Sequence, residues 1–188
     1  MKEIYDYFKQ LTDISEKDWL LFYSKLQHVE FPKKAIILEQ GKTEKHLSFI
    51  EKGMIRFFKP RLDQDFTFAF AFEKSFVSAY DSFLTQQPST YNIEAMTDCV
   101  LWRITYDDLH AIYENTTVGD RIGRKVAEDI YLKKMKREIA LLDDTAKKRY
   151  LDLMKEQPKL IQYIPLKYLA SYIGIRPQSL SRIRRQIT

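Results

Sequence analysis

The chain has 188 residues, 45% hydrophobic and 30% charged, with only five glycines and six prolines, a composition that suits a folded globular protein and excludes long disordered stretches. Its net charge of +5 is unevenly spread: residues 1–115 carry 14 Lys and Arg against 18 Asp and Glu, whereas residues 116–188 carry 17 against 8. Cys99 is the single cysteine and His28, His46 and His110 are scattered, which excludes a disulfide within the chain, a cysteine-held iron–sulfur cluster and any clustered metal-ligand spacing.

Met1 to Gln10 is charged and aromatic, without the apolar core or cleavage site of a signal peptide. No apolar run approaches the ~18 residues that span a bilayer. The expected location is the cytoplasm, with no membrane partner. Ser15 to Leu26 reads as a helix, with Ser15 as N-cap, Asp18 at N3, and Trp19, Leu20, Phe22, Tyr23 and Leu26 on an apolar face.

Short strands follow. His28–Phe31, Ala35–Glu39, Leu47–Glu51 and Ile55–Lys59 are apolar runs separated by turn or charged segments such as Pro32-Lys-Lys and Lys52-Gly53. Phe66 to Phe72 alternates large and small residues, so Phe66, Phe68, Phe70 and Phe72 share one face of a strand. That row is expected to be sandwich core. A base-stacking platform is the alternative, disfavoured by the acidic surroundings, which repel nucleic acid. Tyr91–Ala95 and Cys99–Ile104 complete a set that predicts a β-sandwich or barrel.

Thr105 to Tyr113 predicts a short helix capped by Thr105. Thr117 to Leu142 is uninterrupted by proline and would be ~39 Å long as a helix. Its stripe of Val118, Ile122, Val126, Ile130, Met135, Ile139 and Leu142 suits a helix–helix dimer seam, with a core helix as the alternative. A further helix, Asp144 to Gln157, ends before Pro158. The carboxylate pairs Asp107-Asp108 and Asp143-Asp144 are read as helix-start residues serving the dipole. With no nucleophile–base set, phosphate loop or metal motif, the chain is expected not to be an enzyme and to need no cofactor.

After Glu156 there is no acidic residue, while six Lys and Arg follow. A basic end on an acidic body suits a polyanion. Within it, Leu166 to Thr188 matches a helix-turn-helix. Ala170 stands where two helices cross closely, and Gly174 where the turn favours positive φ. Leu169, Ile173, Ile175, Leu180 and Ile183 stand where the helices lock together, and Pro177 opens the second helix. The alternative is an αα-hairpin with no role on DNA. In the DNA-binding reading the second helix enters the major groove, with Gln178, Ser181 and Arg182 toward the bases. Arg176, Ser179, Arg184 and Arg185 are then suited to phosphates.

A β-rich N-terminal part, a long helix and this C-terminal motif resemble, in that order, the Crp/Fnr family of bacterial regulators. The resemblance rests on Gly53 to Phe58, on Phe76 to Ala95, which resembles the family's phosphate-binding cassette without gaps, and on Ile173 to Ile183. It implies an α+β fold. The parts would be an N-terminal cyclic-nucleotide-binding-like jelly-roll β-barrel (1–115), a dimerisation helix (116–143) and a C-terminal winged-helix, helix-turn-helix domain (144–188). It implies a homodimeric, sequence-specific transcription regulator. Its partners would be double-stranded DNA, a second copy, RNA polymerase and an unidentified small-molecule effector. A sensor or regulatory subunit acting on a protein partner is the alternative.

The cassette departs from the cyclic-nucleotide pattern. Ser78 stands for the family's glycine, Ala79 for the glutamate that takes the ribose and Ser89 for the arginine that neutralises the phosphate; only Thr90 keeps its type. The cysteines of oxygen-sensing members are also absent. The resemblance therefore implies a pocket bordered by Ser78, Ala79, Tyr80, Ser89 and Thr90 that does not respond to cAMP.

Overall fold

The computed structural model describes residues 2–187, with Lys159 and Leu160 described by backbone alone. Met1 and Thr188, the first and last residues of the expected domains, lie outside the described residues. The chain divides into two compact units, Met1–Phe57 with Phe70–Asp129, and Phe58–Ala69 with Ile130–Thr188.

Unit 1 opens on α1 (Lys2–Leu11) and α2 (Glu16–Ser24). Ile4 and Phe8 of α1 are four residues apart, and both are fully buried. Phe8 meets Phe22 at 4.6 Å and stacks on Phe76 at 5.8 Å, and burying such a ring contributes roughly 1.5–3 kcal/mol. This helix was not expected from the sequence. Ser15 caps α2 as expected, its Oγ accepting the Asp18 N–H at 3.1 Å.

Eight strands follow: β1 (Gln27–Phe31), β2 (Ile36–Leu38), β3 (His46–Lys52), β4 (Met54–Lys59), β5 (Phe66–Phe72), β6 (Phe76–Val77), β7 (Asn92–Ala95) and β8 (Cys99–Thr105). They form two four-stranded sheets, ordered β1-β8-β3-β6 and β2-β7-β4-β5. The expected barrel is therefore corrected: the sheets are separate and not closed on each other. β8 pairs antiparallel with both β1 and β3, placing Leu101 opposite Val29 and Ile50. Phe49, Ile50, Ile55, Ile93, Leu101 and Ile104 are almost fully buried and form the core.

Gly53 joins β3 to β4 with φ +102, and an added Cβ would lie 2.6 Å from the Asp98 carbonyl oxygen and the Cys99 sulfur. No other residue fits that turn. Arg56 of β4, only 2% exposed, is balanced by Glu94 of β7 at 2.5 Å. A charge buried that deeply needs such a partner.

The row of phenylalanines on β5 is not core. Phe66, Phe68, Phe70 and Phe72 are half-buried, and Thr67 between them is fully buried. A short helix α3 (Tyr80–Thr85) and the two-residue β6 were not expected from the sequence. Helix α4 (Tyr106–Asn115) starts at Thr105, whose hydroxyl accepts the Asp108 N–H.

The long helix α5 (Gly119–Asp143) begins in unit 1, where Ile122 and Val126 are buried, and continues into unit 2. Asp143 is its last residue, so the reading of Asp143 as a helix-start residue is corrected. Unit 2 goes on through α6 (Ala146–Glu156), capped by Thr145, then α7 (Pro158–Tyr163), α8 (Leu166–Ile173) and α9 (Pro177–Arg185). Pro158 starts α7, as a proline can at a first helical position. The described residues from 144 onward contain helices and no strand, so the expected wing is corrected to an all-helical segment.

Candidate functional site

Two groups of residues singled out in the sequence are the α8–α9 pair and the cassette around α3. At the first, α8 ends in a tight turn. Gly174 has φ +84, and the N–H groups of Gly174 and Ile175 bond back to Ser171 and Ala170. This closes carbonyls that a helix end otherwise leaves open. Leu169, Ala170, Ile173 and Leu180 are at most 2% exposed and lock α8 against α9. Ile175 and Ile183 are half-buried. Pro177 is the first residue of α9.

Packing on Leu180 leaves the other face of α9 outward. Arg176, Gln178, Ser179, Arg182, Arg184 and Arg185 are exposed and Ser181 is half-buried. Gln178, Ser181, Arg182 and Arg185 recur at helical spacing and share one face. Such a face offers hydrogen-bond donors and positive charge.

Two further arginines of this end bond to backbone carbonyls. Arg137 of α5 donates to the Tyr172 carbonyl at 2.7 Å and lies over the Tyr172 ring at 4.5 Å. Arg149 of α6 donates to the Ile173 carbonyl at 2.9 Å and also to the carbonyls of Ala140 and Asp144. Ser171 accepts the Thr67 N–H at 2.8 Å and donates to the Asp65 carbonyl at 3.3 Å. None of the three was singled out in the sequence. Nothing local distinguishes an arginine that meets carbonyls from one that meets solvent.

In the cassette, Ser78, Ala79 and Ser89 are buried, Tyr80 is half-buried and Thr90 is exposed. Ser78, Ala79 and Tyr80 are contiguous at the start of α3, where the Ala79 carbonyl accepts the Phe83 N–H. The hydroxyls face inward to backbone: Ser78 donates to the His46 carbonyl at 3.0 Å and Ser89 to the Tyr91 carbonyl at 2.9 Å.

Beneath them lies a polar cluster that the sequence did not announce. Glu44, 3% exposed, accepts the His46 N–H at 3.0 Å, with the Arg103 guanidinium 3.7 Å away. Its own N–H donates to Ser82 Oγ at 3.0 Å. Burial pushes the Glu44 carboxyl up from its ordinary range, against the pull of nearby N–H groups and Arg103. Burial, with Arg103, holds His46 down to about 4, so its imidazole is neutral.

Two surface grooves, of about 490 and 470 Å3, lie near Glu51, Lys52, Asp98 and Val100, and none of the five cassette residues lines either. Among the described residues no group of three or more His, Cys, Asp and Glu could hold a metal ion, and no helix is long and apolar enough to cross a membrane.

Residues 28–116 match the family model of the cyclic nucleotide-binding domain. No curated protein sequence matches the chain. Among solved structures it is similar to the c-di-GMP-responsive global regulator CLP of Xanthomonas campestris, at 14% identity over 92% of this chain and 91% of that one, with a TM-score of 0.72. FixK2 of Bradyrhizobium japonicum is similar at 14% identity, covering 86% of this chain and 84% of that one, with a TM-score of 0.74. A transcriptional regulator of the Crp/Fnr family from Eubacterium rectale is similar at 17% identity, covering 96% and 87%, with a TM-score of 0.71. Residues 28–116 thus match the cyclic nucleotide-binding domain model, and the chain shares its fold with these three solved structures.

Proposed function

We propose that this protein is a sequence-specific DNA-binding transcription regulator of the Crp/Fnr type that acts as a homodimer, is not switched by cAMP and has no enzymatic activity. The observation that carries the reading is the α8–α9 pair. Its turn at Gly174, its core at Leu180 and its exposed basic face support reading it as a helix-turn-helix whose second helix enters the major groove. In this reading Gln178, Ser181 and Arg182 meet base edges, and Arg176, Ser179, Arg184 and Arg185 hold phosphates.

The second half of α5 supports the dimer. Leu132, Met135, Ile139 and Leu142 follow one another at steps of three, four and three, the spacing of a coiled-coil seam. Leu132, Ile139 and Leu142 are 64%, 55% and 84% exposed in the single chain, a row that a second copy would cover. Two recognition helices would then sit about 34 Å apart on a pseudo-palindrome.

The cassette supports independence from cAMP. Ala79 and Ser89 offer neither a carboxylate nor a guanidinium, and the hydroxyls of Ser78 and Ser89 are bonded to backbone. The test is DNA binding to the promoter region of the protein's own gene, with the triple substitution of Arg182, Arg184 and Arg185 by Glu as control. Specific binding by the native chain and its loss in the variant are expected. Failure of the native chain to bind specifically at any salt concentration overturns the reading.

A further inference from the structure

The last turn of α8 is held from three directions by three different segments of unit 2. Ser171 is bonded in both senses to the backbone around the start of β5, at Thr67 and at the preceding Asp65. The Tyr172 carbonyl is taken by Arg137 of α5, and the Ile173 carbonyl by Arg149 of α6. Gln64 adds a bond to the Lys167 carbonyl at 3.2 Å. The carbonyls of a helix's last turn have no partner within the helix, and a guanidinium there also suits the negative end of the dipole. Gly174 follows at once, and α9 starts three residues later. Whatever fixes residues 171–173 therefore fixes the direction in which α9 leaves.

We infer that Ser171, Arg137 and Arg149 are positioning residues for the DNA-reading helix, and that the two arginines face protein carbonyls instead of phosphates. The inference rests on the DNA-reading role proposed for α9. It sorts the basic residues of unit 2 into two kinds. Arg176, Arg182, Arg184 and Arg185 are exposed, whereas Arg137 and Arg149 are half-buried with their guanidinium groups on backbone carbonyls of α8. Arg149 spans the ends of α5 and α8 because one planar guanidinium can reach several carbonyls at once. Lysine, a point charge on a flexible stem, has neither that fork nor the flat face that Arg137 lays on Tyr172.

The test uses the full chain with Arg137→Lys, Arg149→Lys, Arg137→Gln, Arg149→Gln and Ser171→Ala. Amide hydrogen exchange of residues 65–67 and 171–180 is measured, together with affinity for the promoter fragment at several salt concentrations. Positioning predicts that even the charge-preserving lysine variants exchange at least ~10-fold faster at 171–180 and bind DNA at least ~10-fold more weakly. The salt dependence of binding stays native in the glutamine variants. Ser171→Ala should speed exchange at the buried Thr67 amide in particular. Lysine variants with native exchange and native affinity overturn the inference. So does a salt slope lowered by about 0.9 for each arginine removed, which marks a lost phosphate contact. If the native chain binds no DNA, the functional reading falls alone, and exchange in the variants still decides whether the clamp exists.

Discussion

The backbone N–H of His46 donates to the carboxylate of Glu44 at 3.0 Å, which ties buried Glu44 to half-buried His46 near the cassette. Burial and Arg103 hold folded His46 at about 4, whereas the unfolded chain takes up that proton near the ordinary 6.5. Between those values the unfolded state binds more protons, so stability falls as pH drops from about 6.5 toward about 4. Glu44 works in the opposite sense: its raised folded pKa makes its contribution greatest in acid and lost as pH rises through that value. Urea unfolding across this window should show a smaller acid loss in His46→Asn than in the native chain. Equal losses would show that another group carries the pH dependence.

Calorimetry with micromolar cAMP should give no binding heat. A phosphate without a guanidinium at position 89 lacks its strongest contact, and Ala79 cannot accept from a ribose hydroxyl. Saturable micromolar binding would mean that another group in the domain performs both tasks.

Leu132→Asp combined with Ile139→Asp should turn the proposed dimer into a monomer in light scattering after size-exclusion chromatography. Both positions are exposed in the single chain, so neither change opens a cavity in its core. Each would bury an unpaired carboxylate in a seam, which costs several kcal/mol per ion. A dimer of native strength would place the interface elsewhere.

Gly174→Ala should cost about 1–2 kcal/mol, because an L-residue is strained at left-handed φ. The new Cβ would also come within 3.3 Å of Leu141. Leu180→Ala removes a fully buried side chain and should cost about 2–5 kcal/mol. Thermal unfolding followed by amide exchange in residues 166–185 checks both. Loss confined to that segment is the expected pattern, and native stability of Leu180→Ala would contradict the packing described for α9.

What the sequence by itself determined was local. Ser15 and Thr105 cap helices because their hydroxyls reach N–H groups three residues on, and that distance is set by the helix itself. The turn at Gly174 and the start of α9 at Pro177 follow equally from backbone constraints of single residues. The strand runs were legible from their apolar content.

The tertiary structure decided what depends on distant partners. Two strand residues at Phe76–Val77 become β6 only because β3 lies alongside. The alternation of Phe66 to Phe72 marked the two faces of β5 and pointed to the Phe face as the covered one, whereas the structure buries Thr67 on the other. Glu44 and Arg103, 59 positions apart, meet only when β8 pairs with β3. The same holds for the arginines of the basic end. Charge and spacing are properties of the chain, but whether a guanidinium meets solvent or a carbonyl of α8 is set by what folds against it.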